Sequence, residues 1–358
     1  MVVHCNIPDT PYGAFRGTDF TMVTIGKDVS IIGDYAFYRM PALSTVDIQG
    51  DVLRVGHSAF YECNITEIHL PMVEEIGDYA FYSCSDLTTI TIPDNVNFLG
   101  PFIFKDCSSL PMENGLRYVN NFLVRADIQR ANYTLKADTR YIGAGAFDGC
   151  SFVTQITLPN TVVAIGNEAF QDCSSLATIN IPDGVLTIGE YAFRNCTVLE
   201  NITLPENVKI GGNAFTGCSN FPVVNGIRYV DFYVVEVVNK EIDICNFKEG
   251  TRIIGAQAFS NCQRLVGISF PDSLTTIGDG AFKSCTALLH VTLGSGITTI
   301  GREAFDNCSE LYSIDFQNNI TSIGSDAFYA CGKLSEVRIN DISAWCKIDF
   351  ESYSANPL

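Results

Sequence analysis

Fourteen cysteines are the side chains with the greatest potential for chemistry in this 358-residue sequence. Thiols could pair as disulfides or bind zinc, but a zinc site needs a close C-x-x-C pair or histidine partners, and the sequence offers neither. We predict a ladder of small, buried core residues, with a disulfide between adjacent repeats as the alternative. Cys5, Cys245 and Cys346 lie outside this ladder. Its members each follow a phenylalanine by three residues: Cys63, Cys84, Cys107, Cys150, Cys173, Cys196, Cys218, Cys262, Cys285, Cys308 and Cys331.

The four histidines do not form an acid-base or nucleophilic site with any partner. His4, His57, His69 and His290 are scattered along the chain, whereas general acid-base catalysis needs a base placed beside its partner. The glycine-rich piece at residues 143–145 lacks the Lys-Ser/Thr of a phosphate loop. We therefore predict no catalytic residue, no cofactor site and no metal site, and a protein that is not an enzyme.

The charge balance limits the kinds of partner. The chain has 22 Lys and Arg against 40 Asp and Glu, which gives a net charge of -18. We therefore expect that nucleic acid is not a partner, because phosphate binding depends on clustered cationic side chains. No run of 18 apolar residues occurs, so we expect no membrane insertion by this segment. The first residues lack the basic and apolar regions of a signal peptide, and the abrupt end at Leu358 suggests a fragment of a longer chain.

A short repeat must position all these side chains. An Ala-Phe pair recurs along the chain, mostly at intervals of 21 to 23 residues, with two longer intervals of 43 and 44. The clearest copy, residues 165–182, follows the pattern I-G-x-x-A-F-x-x-C-x-x-L-x-x-I-x-I-P. The twelve repeated phenylalanines are Phe37, Phe60, Phe81, Phe104, Phe147, Phe170, Phe193, Phe215, Phe259, Phe282, Phe305 and Phe328.

Each part of the pattern has a physical meaning. The segment L-x-x-I-x-I ends in strict alternation, which predicts a short strand with one buried face. Proline ends the strand because it cannot donate to a sheet. Glycine after isoleucine permits either a bend with positive φ or a close approach of two backbones. Because one coil of this length cannot bury its own apolar face, neighbouring coils must cover it.

These features predict a β-rich solenoid of the leucine-rich-repeat type. We expect a right-handed stack of about 12 regular coils of ~23 residues and two atypical insert coils, in one curved, elongated domain. The expected organisation is an N-terminal cap at 1–30, the solenoid at 31–340 and a truncated C-terminal cap at 341–358, which holds the only Trp. The inserts span about 111–138 and 222–250. Their β-rich composition suggests a hairpin, with Asn120-Asn121 as a candidate turn.

The repeated pattern resembles the BspA-type leucine-rich repeat family over nearly the whole chain. Local departures, such as Met40 in place of cysteine and Ile103 in place of alanine, suggest irregular coils within the same fold. The resemblance implies a secreted or cell-surface protein that acts in adhesion, through attachment to host extracellular-matrix or surface proteins or through cell-cell aggregation. A non-catalytic, monomeric protein-binding module is the leading hypothesis. The alternatives are a glycan-binding or accessory module of a larger secreted protein and an intracellular protein-interaction scaffold.

Two groups of residues are candidates for binding. In the inserts, Tyr118, Phe122, Tyr229, Phe232 and Tyr233 either bind a partner or fill gaps left by the missing Ala-Phe and Cys. On the predicted strands, the positions between apolar residues should form parallel rows on one exposed face. This strand face comprises Thr45, Asp47, Glu67, His69, Thr89, Thr91, Gln155, Thr157, Thr178, Asn180, Asn201, Thr203, Ser269, His290, Thr292, Ser313, Asp315, Glu336 and Arg338.

Overall fold

The computed structural model describes residues 1–8, 14–16, 18–94, 96, 98–316 and 319–358. Residues 9–13 and 17 of the predicted N-terminal cap lie outside these ranges, as do residues 95, 97, 317 and 318 of the predicted solenoid. The chain divides into two compact units. Unit 1 comprises Met1–Cys196 and Pro205–Gly211, and unit 2 comprises Thr197–Leu204 and Gly212–Leu358.

Unit 1 is built from very short strands, most of which pair in parallel with the equivalent strand of the next coil. They are β1 (Val2–Val3), β2 (Met22–Ile25), β3 (Ile31–Ile32), β4 (Thr45–Ile48), β5 (Arg54–Val55), β6 (Glu67–His69), β7 (Glu75–Ile76), β8 (Thr89–Thr91), β9 (Phe98–Leu99), β10 (Met112–Glu113), β11 (Leu116–Val119), β12 (Phe122–Ala126), β13 (Tyr141–Ile142), β14 (Gln155–Ile156), β15 (Ala164–Ile165), β16 (Thr178–Ile179), β17 (Thr187–Ile188) and β18 (Lys209–Ile210).

Unit 2 has the same construction and ends in two short helical segments. Its strands are β19 (Val223–Val224), β20 (Ile227–Val230), β21 (Tyr233–Val237), β22 (Ile253–Ile254), β23 (Gly267–Ser269), β24 (Thr276–Ile277), β25 (His290–Thr292), β26 (Thr299–Ile300), β27 (Ser313–Phe316), β28 (Ser322–Ile323), β29 (Glu336–Ile339) and β30 (Asp349–Phe350). The α-helix α1 spans Ile342–Trp345, and a single 3₁₀ turn spans Tyr353–Ala355.

The regular coils supply strands to two separate parallel sheets. In unit 2, the L-x-x-I-x-I segments form the sheet β23-β25-β27-β29, as the sequence predicts. A second sheet, β22-β24-β26-β28-β30, uses the two residues that end at the isoleucine before glycine. Identical positions pair, so that Ile277 lies beside Ile300. The predicted leucine-rich-repeat-like solenoid is confirmed, but the second sheet was not predicted because two residues are too few to show an alternation.

The glycine that follows this isoleucine marks a close approach of two backbones. A Cβ added at any of these glycines would lie 2.4 to 2.8 Å from a backbone atom of the preceding coil, and none of them has a positive φ. Of the two explanations that the sequence left open, close approach is therefore the correct one. The glycines are Gly33, Gly56, Gly77, Gly100, Gly143, Gly166, Gly189, Gly211, Gly255, Gly278, Gly301 and Gly324.

Left-handed residues flank the core phenylalanine of each coil. The residues two before and two after Phe37, Tyr35 and Arg39, have φ of 57° and 55°, and the same two positions are left-handed in later coils. A non-glycine residue in this region costs about 1–2 kcal/mol. Hydrogen bonds to the next coil offset the cost, because the backbone N–H groups of Tyr35 and Arg39 each donate to a carbonyl there at 2.8 Å.

Both inserts contain antiparallel hairpins, which confirms the hairpin prediction. In the first insert, β11 pairs with β12 through the turn at Asn120-Asn121, and Asn120 has a φ of 50°. A second turn, at Asn114-Gly115, joins β10 to β11 with φ of 52° and 78°. β12 then pairs in parallel with β13 and returns the chain to the regular pattern.

The core is a stack of identical side chains. Consecutive repeat phenylalanines, such as Phe259, Phe282 and Phe305, lie face to face with ring centroids 4.8 and 5.3 Å apart. At the end of unit 2, Asp341 caps α1 by accepting hydrogen bonds from two backbone N–H groups at 2.8 and 3.2 Å. The helix places Trp345 edge-on against Phe316 at 4.9 Å. The predicted cap residue therefore lies over the end of this core.

Candidate functional site

The structure places the predicted strand-face residues mainly at the surface. Most are exposed, including His69 and His290, and Asp47, Asp315 and Glu336 are partly exposed. Asn201 and Thr203 are exposed but belong to no strand, because Asn201 is left-handed with a φ of 53° and interrupts the sheet. The strand-face residues of each unit are thus mainly polar and exposed, and threonine is the commonest type among them.

Ser313 is the exception to the outward orientation expected of these residues. Only 7% of its surface is exposed, and its hydroxyl lies 2.7 Å from Nδ1 of His290, which covers it from the preceding coil. His69 makes the equivalent contact with the hydroxyl of Thr91, at 3.1 Å. Side chains along the face therefore bind each other from coil to coil, and Ser313 is not available to a partner.

The insert aromatics are mostly core residues. Phe122, Tyr229 and Tyr233 are 7%, 1% and 3% exposed, so these candidates for binding fill the space left by the missing Ala-Phe and Cys. Burial raises the pKa of the Tyr233 hydroxyl well above its usual range. Only Tyr118 and Phe232 are partly exposed. The hydroxyl of Tyr118 lies 3.0 Å from Oγ1 of Thr139, which leaves little of it for a partner.

Sequence reasoning missed an exposed row of tyrosines in unit 1. Tyr38, Tyr61 and Tyr82 each directly follow a core phenylalanine. The Tyr38 and Tyr61 ring centroids lie 5.0 Å apart with the rings tilted by 31°, and the Tyr61 and Tyr82 rings stack at 4.8 Å. All three are partly exposed. We call this row the tyrosine ladder. Its signal in the sequence is the triplet Ala-Phe-Tyr, which occurs in three successive coils.

A second aromatic row runs beside the tyrosine ladder. It consists of Tyr35, His57, Tyr79 and Phe102, in which neighbouring ring centroids lie 4.9, 5.8 and 5.3 Å apart. Edge contacts join the two rows: the Tyr35 and Tyr38 rings lie 5.5 Å apart. Together the seven residues form what we call the aromatic surface, all of them partly exposed.

Charged side chains lie over the ends of this surface. The Arg39 guanidinium lies 5.3 Å from the ring of Tyr38 and forms an ion pair with Glu62 at 2.9 Å. The ammonium of Lys105 lies 4.9 Å above Phe102. Burial and the negative charge of Glu62 raise the pKa of Tyr61, so its hydroxyl is neutral at physiological pH.

The repeat matches a known family over nearly the whole chain. The sequence model of the BspA type leucine rich repeat region (6 copies) matches residues 9–122, 126–230 and 238–355, which is nearly the whole chain. The chain belongs to the BspA-type leucine-rich repeat family. No curated protein shows a significant similarity to it.

Several solved structures are similar to this BspA-type chain. A leucine-rich cell surface protein from Faecalibacterium prausnitzii is 25% identical, with 83% of this chain and 86% of that chain covered and a TM-score of 0.33. A leucine-rich repeat protein from Bacteroides ovatus is 26% identical, with 81% and 77% covered and a TM-score of 0.31. A leucine-rich repeat protein from Eubacterium ventriosum is 20% identical, with 94% and 89% covered and a TM-score of 0.39.

The repeated cysteines of this BspA-type chain are hydrogen-bond donors in the core. None of the fourteen cysteines forms a disulfide, and ten of the eleven ladder cysteines are buried, which confirms the predicted core ladder. In eight coils the cysteine Sγ donates to the carbonyl of the phenylalanine in the preceding coil, 24 residues earlier for Cys84 and 26 residues earlier for the others, at 3.0 to 3.2 Å. Burial raises the pKa of Cys63 and of Cys107 to about 12. The thiols of Cys63 and Cys107 are therefore protonated and poor nucleophiles.

Reactivity of the thiols should distinguish the ladder cysteines from the exposed cysteines. In the folded protein we expect two of the fourteen thiols, Cys5 and Cys346, to react rapidly with an aromatic disulfide reagent at pH 8. Cys245 and Cys331 are partly exposed. Burial raises the pKa of Cys245 to about 12, so it should react slowly. A hydrogen bond with the Cys308 thiol lowers the pKa of Cys331, which we expect to react at an intermediate rate. A Cys5→Ser/Cys346→Ser variant serves as the control. Rapid reaction of four or more thiols in the folded wild type would contradict the burial of the ladder cysteines.

The described part of this BspA-type chain holds neither a metal centre nor a bilayer-spanning helix. Among those residues, no three or more His, Cys, Asp or Glu side chains are arranged to bind a metal ion. No helix there combines the length and apolar character needed to cross a bilayer. The surfaces with the most distinct chemistry are therefore the strand face and the aromatic surface.

Proposed function

We propose that this chain is a non-catalytic, protein-binding module of a secreted or cell-surface adhesin, and that it contacts its partner through the aromatic surface of unit 1. Membership of the BspA-type family supports a role for the repeats in protein interaction. The observation that carries the proposal is the partly exposed tyrosine ladder with Arg39 at its edge. Tyrosine and arginine are among the residues most enriched where binding energy concentrates in protein interfaces.

The geometry of the tyrosine ladder favours a protein partner over a glycan. The rings of Tyr61 and Tyr82 are nearly parallel, with an angle of 4° between them, so each ring covers a face of the other. The ring edges are what such a ladder presents to a partner. Because stacked rings are already ordered, little conformational entropy is lost when a partner binds. The ladder can therefore supply ordered aromatic contact area in one row.

The strand face fits a supporting role in the same function. It carries few aromatic side chains, its histidines contact hydroxyls of the next coil, and its arginine is paired with carboxylates. Arg338, for example, pairs with Glu336 at 2.8 Å and with Asp315 at 3.4 Å. Polar surfaces of this kind surround the centre of many protein interfaces and contribute little binding energy of their own.

Binding to a host matrix protein tests the proposal. We take fibronectin as the probe and measure its binding to the immobilised chain by surface plasmon resonance, with a glycan array in parallel. The triple variant Tyr38→Ser/Tyr61→Ser/Tyr82→Ser should bind at least about tenfold more weakly, because tyrosine contacts at an interface centre often contribute more than 1.4 kcal/mol.

Two controls separate contact from folding. The triple variant with phenylalanine at the same three positions keeps the stacked rings and should retain part of the affinity. The double variant Tyr312→Ser/Tyr329→Ser removes two tyrosines, 49% and 62% exposed, from unit 2 and should bind like the wild type. Wild-type binding to glycans but not to fibronectin, or equal fibronectin binding by all variants, would overturn the proposal.

A further inference from the structure

The two inserts share one backbone design but differ in charge at one pair of facing positions. In the first, β11 and β12 place Arg117 directly opposite Arg125. In the second, β20 and β21 place Arg228 directly opposite Glu236, and these two side chains form an ion pair at 3.0 Å. The same pair of positions therefore holds opposite charges in unit 2 and like charges in unit 1.

A directly opposed pair of arginines is unfavourable without a compensating anion. Like charges facing each other across an antiparallel pair destabilise it. Arg117 donates to the carbonyls of Leu110 and Ser108, at 2.7 and 2.9 Å, and Arg125 donates to the carbonyls of Gly145 and Asp148, at 2.6 and 3.1 Å. These contacts satisfy donors but do not neutralise the charge. Among the described residues, neither Arg117 nor Arg125 forms an ion pair within 4.0 Å.

A cavity opens where the two arginines meet. Its volume is about 190 Å³, and its lining includes Lys105 as a third cation. Two carboxylates, Asp106 and Asp148, also line it, and the ammonium of Lys105 lies 4.0 Å from the carboxylate of Glu168. The lining therefore holds three positive charges and two negative ones, in a chain whose net charge is -18.

We propose that this cavity in unit 1 is a binding site for a small oxyanion of the phosphate, sulfate or carboxylate class, bridged by Arg117 and Arg125. The planar guanidinium fork matches such groups, and two arginines can each donate to the oxygens of one anion. Lys105 supplies a further positive charge at the rim. Burial and the positive charge of Arg125 lower the pKa of Arg117, as expected for a cation that lacks its counter-ion.

Direct titration tests the site. Inorganic phosphate is titrated into the full chain by isothermal titration calorimetry at constant ionic strength, with sodium chloride as the reference salt. We expect one saturable site in the wild type. Arg125→Glu, which recreates the pair of the second insert, and Arg117→Gln should each weaken phosphate binding by at least about tenfold. Lys347→Glu makes the same charge change as Arg125→Glu at an exposed position outside the cavity and should bind like the wild type.

A second titration distinguishes two sources of the anion. N-acetyl-aspartate amide presents the carboxylate of an acidic side chain, whereas phosphate represents a free inorganic anion. Binding of both at similar affinity identifies a site that accepts acidic side chains, and binding of phosphate alone identifies a free-anion site. The absence of saturable binding by either probe, or equal binding by the wild type and both arginine variants, would overturn the proposal. A folded Arg125→Glu variant, judged by circular dichroism, is required for the comparison.

Discussion

Replacing Phe282 with alanine is expected to lower the free energy of unfolding by about 4 kcal/mol, near the upper end for a single core substitution. The ring is fully buried, lies between Phe259 and Phe305 at 4.8 and 5.3 Å, and meets the edge of Phe270 at 5.6 Å. The spacing between coils is fixed by hydrogen bonds, such as that from the Phe282 N–H to the Ala304 carbonyl at 2.7 Å. The coils therefore cannot close the cavity that alanine would leave.

Urea denaturation followed by circular dichroism measures this loss. Tyr329→Ala is the matched control, because Tyr329 directly follows a core phenylalanine in the same unit but is 62% exposed. Its cost should be within about 0.5 kcal/mol of zero. The interpretation of the phenylalanine stack as the main core would be wrong if Phe282→Ala and Tyr329→Ala shifted the urea midpoint by similar amounts.

Adding one methyl group at Gly324 is expected to cost about 3 kcal/mol. A Cβ there would lie 2.4 Å from the backbone nitrogen of Arg302, and 2.7 Å from both the Arg302 Cα and the Gly301 carbonyl carbon. Backbone atoms cannot rotate away as the end of a side chain can. The two coils would have to separate, which would weaken the hydrogen bond from the Gly324 N–H to the Ile300 carbonyl, now 2.8 Å long.

A second glycine in the same unit provides the control for Gly324→Ala. Gly267 lies in β23, its φ is not positive, and a Cβ there would meet no atom within 4 Å. Gly267→Ala should leave the melting temperature unchanged or raise it slightly, because alanine reduces the entropy of the unfolded chain. Equal melting temperatures for Gly324→Ala and the wild type would show that the coils do not approach as closely as described.

Which aromatic residues are exposed was only partly predictable from the sequence. Tyr229 and Tyr233 lie in an insert that breaks the repeat, so the sequence left open whether they bind a partner or fill the core. Their burial depends on how the hairpin folds against the neighbouring coil, which no spacing rule specifies. Tyr38 and Tyr61 were visible as a repeated Ala-Phe-Tyr triplet, but only the stacked coils show that their rings form one continuous row.

The sequence by itself determined the solenoid, its period and the buried positions of phenylalanine and cysteine. A residue type that recurs at one position in every coil must meet its own copies above and below, so periodicity alone implies a stack. The tertiary structure decided what periodicity does not encode: the distance between neighbouring backbones at Gly324, the left-handed turns beside Phe37, and the facing of Arg117 and Arg125 across a hairpin. These depend on interatomic distances and strand register, which arise only when non-adjacent segments pack together.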